Sequence, residues 1–212
     1  MRSKPELRRK IRATLHLTPD VRAEKSARLC AAIAASGAWL AARTVALFAP
    51  LPHEPDVELL WAHGAGKIFA YPRVNGARID LFTAASPLEL APGAFGVREP
   101  SPDPARAVAP GDLDLILVPG AAFTRTGERL GRGGGFYDRL LAGLTARTCR
   151  IGTAFAAQLL DELPVEPHDQ RVDFLATEDG LLPPAPLTPA AAPSSQTAES
   201  SPARADQPPS FQ

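Results

Sequence analysis

LDLILVPGAAFTRTGERLGRGGGFYDRLLAGL, residues 113–144, holds three kinds of segment in a row. It opens on LDLILV at 113–118, a short and nearly unbroken apolar run stopped by Pro119 and Gly120, the pattern of a strand covered on both faces. A loop rich in glycine and arginine follows. From Phe136 onward Leu140, Leu141 and Leu144 recur at helical spacing. Strand, loop and helix in that order form the repeating unit of an α/β fold with a parallel sheet.

Working outward, TVALFA at 44–49, KIFAY at 67–71 and RIGTAF at 150–155 are further candidate strands. Helical segments are expected between them near residues 57–63 and 158–163. Two helices should precede the first strand. Ser3-x-x-Glu6 fits a capping box ahead of Leu7, Ile11 and Leu15, and Thr18-Pro19 caps a second helix that runs through Leu29 and Ile33 toward Gly37. The expected architecture is α/β, a single-domain layered fold at residues 1–182 with a largely parallel central sheet flanked by helices. Residues 183–212 are a Pro, Ala and Ser mixture with almost nothing apolar to bury, and a disordered tail is expected there.

Lys plus Arg and Asp plus Glu both total 23, so the formal charge is zero and no overall field attracts nucleic acid or an anionic membrane. An RNA-binding module built on the basic first helix and the arginine loop is disfavoured on that ground. The two cysteines, Cys30 and Cys149, lie far apart without a CxxC pair and read as small buried apolar residues. The first residues lack the apolar run of a signal peptide, and nothing approaches the roughly 20 apolar residues of a membrane span. A cytoplasmic monomer acting on small molecules is the expectation.

The loop at 129–139 carries the chemistry. Gly131, Gly133, Gly134 and Gly135 let backbone N–H groups approach a ligand, and Arg125, Arg129, Arg132 and Arg139 add fixed positive charge just ahead of a helix N-terminus. That combination suits a triphosphate; from the residue types alone it equally suits a surface loop with solvated arginines. GxxxxGK[ST] fails because no lysine follows the glycines, and GxGxxG fails because Phe136 stands at its third glycine. Asp138 falls in the first turn of the helix, where it either complements the helix dipole or holds a magnesium ion against phosphate oxygens.

RLGRGGGFYDR resembles the signature of the 5-formyltetrahydrofolate cyclo-ligase family, also called methenyltetrahydrofolate synthetase. KPELR near the start, FGVREP at 95–100, DLILVPGAAF, and IGTAFAAQLLDELPVEPHDQRVDFLATE at 151–178 extend the likeness over nearly everything except the tail. The resemblance implies conversion of 5-formyltetrahydrofolate to 5,10-methenyltetrahydrofolate with ATP as co-substrate and Mg2+ as cofactor, releasing ADP and phosphate.

Carried over position by position, it implies ATP contacts from Lys4, Arg8, Arg129, Leu130, Gly131, Arg132, Gly133, Gly134, Gly135, Phe136 and Tyr137. It implies folate contacts from Ala49, Glu54 and the loop residues Arg132, Gly133, Gly134, Gly135 and Phe136. Arg132 and Tyr137 are the implied catalytic residues, and Asp138 and Asp173 the implied magnesium ligands. Phe136 replaces the more usual first tyrosine, and Val57 stands where threonine is usual, so a homologue that binds without catalysing is the alternative. His168 and Asp169 read as a turn after Pro167, Trp61 as core, and Arg73 as a candidate partner for the negatively charged end of a folate.

Overall fold

The computed structural model describes residues 3–184. The tail expected at 183–212 therefore lies almost wholly outside the described residues. Three helices come first: α1 (Lys4–Thr14), α2 (Pro19–Ala34) and the short α3 (Gly37–Ala41). The Glu6 carboxylate accepts hydrogen bonds from both Ser3 N and Ser3 Oγ at 2.9 Å, which closes the open end of α1 as its sequence predicts. Thr18 Oγ1 accepts from Val21 N at the start of α2, and Ser36 Oγ from Trp39 N at the start of α3.

The strands are β1 (Thr44–Ala46), β2 (Ile68–Asn75), β3 (Arg78–Ala84), β4 (Ala91–Pro92), β5 (Arg98–Glu99), β6 (Ala107–Val108) and β7 (Leu115–Pro119). After them come β8 (Ala122–Thr124), β9 (Arg129–Leu130), β10 (Cys149–Thr153), β11 (Leu159–Leu160), β12 (Phe174–Thr177) and β13 (Gly180–Leu182), with the helix α4 (Phe136–Ala142) between β9 and β10. Eight of them form the main sheet in the order β13-β12-β10-β7-β1-β2-β3-β6. β12, β10, β7, β1 and β2 run parallel; β13, β3 and β6 add antiparallel margins.

β7 shows why the continuous apolar runs are needed. Leu115 and Leu117 point into a core shared with Leu29 and Ile33 of α2 and Trp39 of α3, while Ile116 and Val118 point into a second core with Leu140 and Leu141 of α4. Successive side chains alternate between faces, and here both faces are covered. The chain moves from β1 outward to β2, then returns to the other side of β1 for β7, β10 and β12. The sheet therefore reverses its winding between β1 and β7, and the splayed carboxyl ends of those two strands leave a crevice.

Two expectations are corrected. Residues 158–163 do not form a helix: Gln158 ends a single 3-10 turn, and Leu159–Leu160 pairs as β11 with β8. The buried Gln158 carboxamide explains this, since it accepts from Phe155 N and donates to Gly120 O and Ala121 O, pinning the segment beside β8. The strand expected at 67–71 is longer and turns back at Gly76 (φ 59°) into the antiparallel β3. Residues 57–63 form a 3-10 helix.

Candidate active site

A cavity of ≈ 330 Å³ fills the crevice between the ends of β1 and β7. Phe48 and Ala49 beyond β1 and Pro119 at the end of β7 form its floor, and the glycine loop with the first turn of α4 forms one wall. Gly133 (φ 110°) and Gly135 (φ 64°) occupy backbone regions that side chains disfavour, and Gly135 is the residue from which α4 starts.

The small sheet of β11, β8 and β9 fixes where this loop begins. Leu130 of β9 is buried with Ala122, Leu163 and Ile11 of α1, so α1 packs beside the loop, and Arg8 Nε donates to Gly131 O at 2.7 Å. Arg129 leaves β9 into the cavity wall with its side chain only 3% exposed. Its Nη2 donates to Asp138 Oδ1 at 2.6 Å, Nη1 reaches Pro119 O at 3.4 Å, and Nε is buried with no hydrogen-bond partner among the described residues.

Across the cavity Glu54 is 5% exposed. Its Oε2 accepts from Leu51 N at 2.9 Å, and its Oε1 accepts from Arg132 Nη2 at 2.6 Å, which ties the two walls together. Arg132 Nη2 also lies 3.1 Å from His53 Nε2. Burial and then the Arg132 charge hold the His53 imidazolium below its ordinary pKa. The Tyr137 ring sits 5.8 Å from the Arg129 guanidinium, and burial raises its phenol pKa, so at neutral pH it is an O–H donor rather than a base.

A family model described as the 5-formyltetrahydrofolate cyclo-ligase family matches residues 1–178. The chain belongs to that family. A 5-formyltetrahydrofolate cyclo-ligase of Mycolicibacterium smegmatis is 38% identical over 149 residues, which span 67% of this chain and 77% of that protein. One from Escherichia coli K12 is 34% identical over 161 residues, 72% of this chain and 87% of that protein. The NMR structure of Aquifex aeolicus 5,10-methenyltetrahydrofolate synthetase superposes with a TM-score of 0.76 at 32% identity, covering 92% of this chain and 99% of that one.

Against this cyclo-ligase fold, Ala49, Glu54, Arg129, Gly131, Arg132, Gly134, Gly135, Phe136, Tyr137 and Asp138 all line one cavity, with Gly133 between them in the same loop. Leu130 is instead buried in the α1 core. Lys4 lies one turn before Arg8 but reaches the segment after β11, with Nζ 2.8 Å from Asp169 Oδ2 and 3.2 Å from Glu166 Oε1. Burial opposes the Lys4 charge, yet these two carboxylates outweigh it and raise its pKa, while the Lys4 ammonium holds the Asp169 carboxyl below its ordinary value against the same burial.

Asp173 is not among the residues that line the cavity. It stands just before β12, and its Oδ2 accepts from Arg150 N at 2.8 Å near the start of β10, at the opposite edge of the sheet from Asp138. It caps a strand there and does not join the cavity. Asp169, read from the sequence as a turn residue, does make that turn with Glu166, but it also grips Lys4 on the α1 side of the glycine loop. Arg73 is committed to Pro100 O and Glu99 rather than facing the cavity, and Trp61 packs on Phe69 and donates to Tyr71 Oη. Among the described residues no group of three His, Cys, Asp or Glu side chains is placed to hold a metal, and no helix is long and apolar enough to cross a membrane.

Proposed function

We propose that this chain converts 5-formyltetrahydrofolate to 5,10-methenyltetrahydrofolate at the expense of ATP, in the presence of Mg2+. The observation that carries the reading is the pairing of walls around one cavity: a glycine loop bearing Arg129 and Arg132 on one side, and the buried Glu54 on the other. The loop wall suits phosphate. Free N–H groups at the start of α4, two arginines and the unpartnered Arg129 Nε would hold and neutralise phosphate oxygens. The Glu54 wall suits the amino and ring N–H groups of a pterin, since Leu51 N and Arg132 already orient that carboxylate.

In this reading the formyl oxygen attacks the γ-phosphorus and ADP leaves. The folate N10 then attacks the activated carbon, its proton passes to the departing phosphate or to water, and phosphate leaves as the ring closes. Both nucleophiles, the formyl oxygen and N10, belong to the substrate, so the protein supplies none. Its part is to align the two substrates and stabilise the transferring phosphoryl group, the main demands of such chemistry.

Asp138 fits a magnesium role, because one protein carboxylate beside phosphate oxygens and water makes a common shell for this ion. When bound, Mg2+ would offset charge on the phosphates. Asp138, which already pairs with Arg129, would be its protein ligand, whereas Asp173 is not among the residues that line the cavity. The test is direct: pure protein should produce methenyl-folate absorbance from 5-formyltetrahydrofolate only when both ATP and Mg2+ are present. A folded sample that binds ATP yet yields no such absorbance would overturn the proposal.

A further inference from the structure

The rim of the cavity opposite α4 is formed by a turn whose backbone is unusual. Phe95 has φ 56° and ψ 24° and is the one non-glycine residue with positive φ among the described residues; Gly96 follows at φ 73°. A bulky side chain in the left-handed region is uncommon and persists only where its surroundings hold it there. Yet Phe95 is 76% exposed, so packing of its own ring does not hold it. The ring lies on the cavity with its centroid 5.7 Å from that of Phe136, the first residue of α4. Phe136 in turn carries the Arg139 guanidinium 5.3 Å from its ring.

What holds the turn is Glu99 of β5, whose side chain is only 5% exposed. Its Oε1 accepts from Ala94 N at 3.3 Å, the amide just before Phe95, and from Val74 N of β2 at 3.1 Å; its Oε2 lies 3.4 Å from Arg73 Nη1. One buried carboxylate thus fastens the turn to the main sheet. Gly93 makes room for it, since a Cβ at that position would come within 2.5 Å of Glu99 Cγ and Cδ. Gly93 N donates to Val97 O and Val97 N to Ala94 O, so the turn closes on itself around the Glu99 anchor.

We propose that Glu99 is a positioning residue that holds Phe95 in its left-handed turn, so that Phe95 and Phe136, packed on each other at 5.7 Å, present one aromatic surface to the planar ring of the folate. This rests on the folate reading of the cavity given above. An aromatic ring kept exposed at a cavity mouth by a strained backbone is arranged for a flat partner, and Phe136, which also carries the Arg139 guanidinium, extends that surface toward the glycine loop.

The decisive experiment is a double-mutant cycle in full-length protein. Phe95→Ala and Glu99→Gln should each raise KM for 5-formyltetrahydrofolate about five- to tenfold, the loss of roughly one aromatic contact, with KM for ATP changed less than about twofold. The double variant should be no worse than Phe95→Ala alone. Additive losses, an equal rise in KM for ATP, or an unchanged folate KM in Phe95→Ala would overturn the proposal.

Hydrogen exchange provides a readout independent of turnover: Glu99→Gln should speed exchange at the Ala94 and Val97 amides while the β7 amides stay protected. If wild-type protein shows no cyclisation, the functional reading fails and exchange still judges the anchor. Unchanged exchange at Ala94 and Val97 removes the positioning role whether or not the enzyme turns over.

Discussion

Carboxylates stand just before the parallel strands and again around the cavity beyond their carboxyl ends, and the two groups are used in opposite ways. At the amino edge Asp114, just before β7, accepts from Arg43 N and Thr44 N at 2.8 Å, and Asp173, just before β12, accepts from Arg150 N. Each side chain caps the backbone of the neighbouring parallel strand. At the carboxyl edge Asp138 and Glu54 face arginine side chains across or beside a cavity, at 2.6 Å in both cases. A carboxylate spent on backbone amides is a structural stop. One held by a guanidinium beside an open volume keeps lone pairs and charge available to a ligand.

The sharpest way to break this distinction is Asp138→Ala. It leaves the Arg129 guanidinium, 3% exposed, without its carboxylate, and removing one partner of a buried pair costs about 3–5 kcal/mol. Turnover should fall to background in the same variant. Asp173→Ala, made alongside, should cost about 0.5–1.5 kcal/mol, with turnover per folded molecule unchanged. Denaturant unfolding and the methenyl-absorbance assay on both proteins check the pair; normal turnover in Asp138→Ala, or lost turnover in a folded Asp173→Ala, would erase the difference between the edges.

Arg132→Ala separates stability from chemistry at the cavity. Arg132 is 44% exposed, so water screens its pair with Glu54 and its loss should change stability by less than about 1 kcal/mol. Its effect on kcat/KM should be far larger, about a hundred- to a thousandfold, because a positioned cation beside a transferring group acts mainly in the transition state. Glu54→Gln should raise KM for folate more than KM for ATP, and the two changes should be non-additive, since each removes one end of the same 2.6 Å contact.

Much of this architecture follows from local sequence. The Ser3–Glu6 box, the Thr18-Pro19 start and the unbroken LILV of β7 each state their structure within a few residues, and the glycine loop states its own chemistry. β3 has no clear local pattern, because RIDLFTA is only partly buried and its partner strand contains Pro72, which reads as a strand breaker. β1 pairs with β2 only as far as Ala70, so Pro72 falls where one side of β2 is free to tolerate it. Residues 158–163 look amphipathic, but Gln158 spends its carboxamide on Phe155, Gly120 and Ala121, partners that local spacing does not reveal.

The site followed the same rule. Glu54, Arg132 and Asp138 stand at motif positions, whereas the Lys4–Asp169 pair spans 165 positions and has no local signature. The place of Asp173 at the amino end of β12 is a property of the topology, which no local pattern reveals.

The smallest effect belongs to the amino edge, and pH exposes it. Hydrogen bonds from Thr44 N and Arg43 N hold the Asp114 carboxyl below its ordinary value of 3.8. A group whose pKa is depressed on folding adds stability above its unfolded pKa and loses it as pH falls through the folded one. The stability gap between wild type and Asp114→Asn should therefore be flat from neutral pH down to about 5, then narrow as acid protonates the wild-type carboxyl. Its plateau should be about 0.5–1.5 kcal/mol, the scale of exposed side-chain to backbone bonds. Denaturant midpoints measured from pH 7 to 3 read this directly. A gap that widened in acid would mean that the carboxylate opposes folding at this edge, and the capping role assigned to Asp114, with that of Asp173 beside it, would have to be withdrawn.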